Sequence, residues 1–72
     1  MIGTIRFWKK RWGFIAARGY PFGVFLHRAQ ILAGEPEEGR RVRFSVTVVE
    51  KGPKATEAVV LTDEEARDGD GL

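Results

Sequence analysis

From Arg41 to Val49 the chain alternates: Val42, Phe44, Val46 and Val48 are apolar, while Arg43, Ser45 and Thr47 between them are polar. A period of two puts the apolar set on one face of a β-strand and the polar set on the other. Weaker strand signals fill most of the remaining chain. Ile2 to Trp8 and Trp12 to Ala17 read as two strands joined by the polar turn Lys9-Lys10-Arg11, and Val24 to His27 reads as a third. Gly19-Tyr20-Pro21-Phe22-Gly23 reads as a loop, punctuated by two glycines and a proline. Arg28 to Leu32 has room for one helical turn before Gly34-Glu35-Pro36. After the turn Lys51-Gly52-Pro53-Lys54, Ala55 to Leu61 supplies a fifth strand. The expectation is an all-β fold: five short antiparallel strands, one long central connection, and closure into a small barrel that leaves few sheet edges open.

The last stretch differs. Asp63, Glu64, Glu65, Asp68 and Asp70 make it acidic, and few of its residues are apolar. Thr62 with Glu65 three residues on is a capping-box pattern for a helical turn. The division expected is therefore a folded domain over residues 1–62 and an acidic, disordered tail over 63–72.

Composition excludes several functions. A chain of 72 residues builds one modest core, and with no cysteine neither disulfides nor a thiolate metal site reinforces it. The single histidine, His27, has no carboxylate near it in sequence; the first acidic residue is Glu35. A metal site and a general-base role for His27 both lack partners, so no cofactor, no metal and no catalysis are expected. Nothing resembles a glycine-rich phosphate loop with its lysine and hydroxyl. No apolar run approaches the roughly 20 residues of a membrane span, and no signal peptide opens the chain. The expectation is a soluble, cytoplasmic monomer.

Charge is unevenly divided. Residues 1–34 carry Arg6, Lys9, Lys10, Arg11, Arg18 and Arg28 and no acidic residue, a net +6, whereas residues 35–72 carry six basic and ten acidic residues, a net −4. Without residues 63–72 the remainder has eleven basic and five acidic residues, a net +6. A one-signed stretch suits a polyanion, although charge alone fits a solvated face equally well.

The aromatics are more specific. In the second strand Trp12 and Phe14 share one face, opposite Gly13 and Ile15; in the third, Phe25 and His27 share one face, opposite Val24 and Leu26. The aliphatic set makes a barrel interior, which leaves the rings outside. A contiguous exposed apolar patch marks a binding surface. Flat rings on a sheet are platforms for unstacked bases, worth about 1–3 kcal/mol per base. Arg6, Lys9, Lys10 and Arg11 border the platform as phosphate contacts. Tyr20 and Phe22, in the loop, either extend the stacking surface or close that end of the barrel. Arg40, Arg41 and Arg43 lie away from it and read as solvated charge or partners for Glu37 and Glu38.

These residues resemble the bacterial cold-shock proteins. Gly3-Thr4-Ile5-Arg6-Phe7-Trp8 resembles that family's opening strand, Lys10-Arg11-Trp12-Gly13-Phe14-Ile15 its first ribonucleoprotein motif and Val24-Phe25-Leu26-His27 its second. Glu38-Gly39-Arg40-Arg41-Val42-Arg43-Phe44 and Gly52-Pro53-Lys54-Ala55 match later landmarks, so the resemblance spans about residues 2–61. It implies a five-stranded antiparallel OB-fold barrel that binds single-stranded RNA or DNA by stacking. Trp12, Phe14, Phe25 and His27 are then the central stackers. Phe7 and Trp8 stand in reversed order, so either takes the outward role. Arg28 sits where the family is frequently aromatic, and becomes a phosphate or guanidinium contact; Lys9 and Arg11 likewise add charge at motif positions.

The implied function is sequence-tolerant binding of single strands, as an RNA chaperone or a modulator of transcription or translation. The alternative is an OB-type protein-interaction module whose rings dock on a protein of the transcription machinery.

Overall fold

The computed structural model describes residues 1–65. Six strands form one sheet: β1 (Ile2–Lys9), β2 (Trp12–Ala17), β3 (Tyr20–His27), β4 (Ile31–Ala33), β5 (Arg41–Val49) and β6 (Gly52–Val60), with a single 3-10 turn, Arg28–Gln30, before β4. The strand order is β3-β2-β1-β5-β6-β4, and β3 also pairs with β6, so five strands close into a barrel and β4 is an addition. The expected OB-type barrel is present. Its closure, however, is made by a parallel contact, Phe25 opposite Lys54, and β4 also runs parallel to β6; the remaining pairings are antiparallel.

Several boundaries differ from the sequence expectation, each for a local reason. The expected loop Gly19 to Gly23 is mostly strand, because β3 begins at Tyr20. Glycine and proline there mark a bulge rather than an end of pairing: Ile15 opposes Val24 and Ala17 opposes Tyr20, so Ala16 alone faces Pro21, Phe22 and Gly23. The Lys51 to Lys54 turn is likewise shorter, since Gly52 already pairs with Val49 and β6 ends at Val60 rather than Leu61. Arg28 to Leu32 makes only a 3-10 turn before Ile31 enters β4.

The core contains Ile5, Ile15, Val24, Leu26, Val42, Phe44, Ala55, Ala58 and Val60, all buried. Ile15, Val24 and Leu26 therefore point inward as their parity predicts. In β5 the alternation outruns the core: Val42 and Phe44 are buried, but Val48 projects into solvent.

β1 leaves β5 after Thr4, where the loop before β5 takes over its pairing. The Ile5 N–H donates to the Arg40 carbonyl at 2.8 Å and the Gly39 N–H donates to the Ile5 carbonyl at 2.7 Å. In that loop Arg40 Nε lies 2.9 Å from Glu37 Oε2, one of the two roles the sequence allows for Arg40. The Thr62–Glu65 capping box is also formed: the Thr62 N–H donates to Glu65 Oε1 at 3.0 Å, and the Glu65 N–H donates to Thr62 Oγ1 at 3.1 Å. The rest of the acidic segment, residues 66–72, lies outside the described residues.

Candidate nucleic-acid interface

A bulge in β1 decides which aromatic faces out. Ile5 opposes Ile15, but Phe7 opposes Phe14 and Trp8 opposes Gly13, so the register slips at Arg6. Strict alternation would put Phe7 on the buried face with Ile5. The extra residue reverses the parity. Phe7 therefore emerges, 39% exposed, while Trp8 packs against the core.

Gly13 makes room for that inward ring. A Cβ at position 13 would lie against the Phe7 carbonyl and 2.7 Å from Trp8 Cε3. The Trp8 backbone N–H donates to Glu38 Oε2 at 3.4 Å.

Outside, Trp12 is the hub. Its ring centroid lies 5.4 Å from Phe7, 6.0 Å from Phe14 and 6.2 Å from Phe25. The Trp12 and Phe25 planes are within 28° of parallel, whereas Phe14 meets both Trp12 and Phe25 edge-on, the latter at 5.7 Å. Such pairs hold one another in place by their quadrupoles, so the cluster stands pre-formed. Trp12 is 37% exposed; Phe14 and Phe25 are half-buried.

His27 opposes Trp12 across β2 and β3 and is exposed. The Ala29 N–H donates to its Nδ1 at 3.0 Å, capping the 3-10 turn. That bond fixes the ring and requires Nδ1 without a proton, leaving the Nε2 edge to solvent.

Cations stand at both ends of the ring cluster. At the Trp12–His27 end, Lys9, Lys10 and Arg11 form the exposed tip between β1 and β2, and the Arg28 N–H donates to the Arg11 carbonyl at 2.7 Å. The Arg28 side chain is 4.0 Å from Glu35, so it begins from an ion pair rather than free. At the other end a groove of about 550 Å³ is lined by Phe14, Phe22, Phe25, Val49, Pro53 and Lys54 among others. Lys51 lines it too.

Nothing in the sequence pattern assigns Val49, Lys51, Pro53 or Lys54 to the interface. They come to the rings only because β6 closes the barrel beside Phe25, a pairing between positions far apart in sequence. The two loop aromatics separate. Tyr20 is partly buried and packs against the core, whereas Phe22 is 93% exposed and lines the groove. Arg6 lines an adjoining cleft with Phe7, Phe14 and Phe22. Among the described residues, no group of three or more histidine, cysteine or acidic side chains is placed to hold a metal ion, and no helix is long and apolar enough to cross a membrane.

No protein-family model matches the chain, and no curated protein matches it in sequence. Solved structures do, 27 chains in all, so the likeness does not rest on one superposition. Among them the structure of Drosophila Unr, CSD456, superposes with a TM-score of 0.73 at 25% identity over 86% of this chain. The chain spans 26% of that structure's length. The fold of residues 1–65, a closed five-stranded OB-type barrel with one added strand, is that of a cold-shock domain.

Proposed function

We propose that the protein binds single-stranded nucleic acid, RNA or DNA, by stacking unpaired bases on Phe7, Trp12, Phe14, Phe25 and His27 while cations at either end of the platform hold the phosphates. The observation that carries this is the ring cluster centred on Trp12, which is pre-formed and partly exposed. The likeness to a cold-shock domain supports nucleic-acid binding in general. Stacking at about 1–3 kcal/mol per base tolerates any sequence. Lys9, Lys10, Arg11, Arg28, Arg6, Lys51 and Lys54 add a salt-dependent, sequence-independent term.

The action is passive. A protein that binds only the unpaired strand shifts the melting equilibrium by mass action, with no hydrolysis. In a cell this keeps RNA open, or modulates transcription or translation by doing so. The protein would act as a cytoplasmic monomer without cofactor or catalytic activity.

The test is binding of a labelled single strand and of the matching duplex at low and moderate salt. The proposal expects preference for the single strand, and its loss in a Phe14→Ala/Phe25→Ala variant that retains its β-sheet circular dichroism. Should that variant unfold, Phe7→Ala, on an exposed ring, serves instead. Equal or absent binding of the single strand by folded wild-type protein would overturn it and favour docking of the rings on a protein.

A further inference from the structure

Phe22 stands apart from the ring cluster. It takes part in none of the ring contacts among the described residues, and at 93% exposure both faces of its ring are open. Its position follows from the bulge in β3, where Pro21, Phe22 and Gly23 together oppose Ala16. Three residues against one force the chain away from the sheet, and the middle one is carried to the apex. Gly23 permits this with a φ of +85°. Gly23 itself is buried, and a Cβ there would lie 3.2 Å from the Ile15 carbonyl oxygen.

The ring therefore divides the surface. On one side is the cleft lined by Arg6, Phe7, Phe14, Phe22 and Gly23. On the other is the groove that Phe14, Phe22, Gly23 and Phe25 share with Pro53, Lys51 and Lys54. Both have an aromatic wall, both have at least one cation, and no acidic residue lines either. An aromatic ridge between two apolar, positively charged clefts matches two consecutive nucleotides, each with a flat apolar base and a phosphate.

We propose that Phe22 is a wedge that enters between two successive bases of the bound strand, stacking on one with each face. One base lies towards Phe7 with Arg6 at its phosphate, the other towards Phe25 and Pro53 with Lys51 and Lys54. This rests on the binding mode proposed above and adds to it a residue, a register and a requirement: the two bases must be unstacked from each other, which an intact duplex resists.

The test is an abasic scan. Hexathymidylate is prepared with each base in turn removed, and every member is bound to wild-type protein and to Phe22→Ala. Phe22 contributes nothing to the buried core, so the variant should match the wild type in thermal unfolding. Loss of the wedge should weaken the intact hexamer by about fivefold to 150-fold for each base that loses its partner. Two adjacent abasic positions should be costly in the wild type and less costly in Phe22→Ala, where only the contacts to the other cleft walls remain to be lost, with the other positions unchanged between the two proteins. The salt slope should be the same in both, because no phosphate contact is removed.

If wild-type protein binds hexathymidylate and Phe22→Ala binds it equally well, the wedge is wrong while the stacking platform stands. Loss of sensitivity at one abasic position, rather than two neighbours, also overturns it, reducing Phe22 to a one-sided platform. If the wild type itself ignores single strands, the broader reading fails first.

Discussion

The Trp8 ring lies over Gly13 so closely that a Cβ on Gly13 would fall 2.7 Å from Trp8 Cε3. Gly13 thus supports the platform from behind. By accepting the inward ring it lets the bulge at Arg6 stand, and the bulge turns Phe7 outward to meet Trp12.

Gly13→Ala should therefore destabilise the fold by about 1–3 kcal/mol, the usual scale for overpacking, and more if the Phe7 carbonyl cannot retreat. Urea unfolding followed by circular dichroism measures it. A variant as stable as the wild type would show that Trp8 can leave its place without consequence.

The same bulge marks where the sequence ceased to be readable. Within β2 and β3, parity alone separated Trp12, Phe14, Phe25 and His27 from Ile15, Val24 and Leu26, because pairing from Trp12 to Ile15 and from Val24 to His27 is regular. In β1 an extra residue inverts the parity between Ile5 and Phe7, and nothing in Ile5-Arg6-Phe7-Trp8 announces it. Tyr20-Pro21-Phe22-Gly23 read as a loop because its composition signals a chain reversal, yet the same residues make a bulged strand. Lys51 and Lys54 were legible as a turn but not as part of the interface, since the β3–β6 contact is non-local and parallel.

Lys51→Ala and Lys54→Ala test the end of the interface that only the fold discloses. Each should weaken single-strand binding and reduce the slope of log affinity against log salt by roughly 0.7, the value per phosphate contact on a single strand. Arg43→Ala, on a strand away from the rings, should leave the slope unchanged. Anisotropy titrations at three salt concentrations are sufficient.

His27 does two things, and substitutions separate them. His27→Phe keeps a ring opposite Trp12 but removes the acceptor for the Ala29 N–H. It should keep most of the affinity while freeing the 3-10 turn, seen as faster amide exchange at Ala29. His27→Asn restores a short acceptor of the kind that caps helical turns. It should protect Ala29 again but lose stacking affinity, within about 1–3 kcal/mol.

Glu65 gives a pH signature at the end of the described chain. The Thr62 backbone N–H and then the Thr62 hydroxyl hold its carboxyl below the ordinary 4.5, against a lesser opposing effect of desolvation and with the charge of Arg43 adding least. A carboxyl lowered in the folded state stabilises its turn above the unfolded pKa, and that contribution is lost as pH falls through the lowered folded value. In an NMR titration the Glu65 carboxyl should titrate below 4.5 and move only part of the way back in Thr62→Ala, which loses the hydroxyl but keeps the backbone N–H. No movement would mean that the Thr62 hydroxyl does not hold the carboxyl in solution.

The central claim is that the rings around Trp12 stack on unpaired bases, and Trp12 reports on it directly. With Trp8→Phe as background, Trp12 is the sole indole, since the chain holds two tryptophans. Titration with hexathymidylate should quench its fluorescence to saturation, more weakly at higher salt, while a stable, G·C-rich hairpin duplex leaves it nearly unchanged. A folded protein whose Trp12 emission ignores the single strand at every salt concentration would contradict the account.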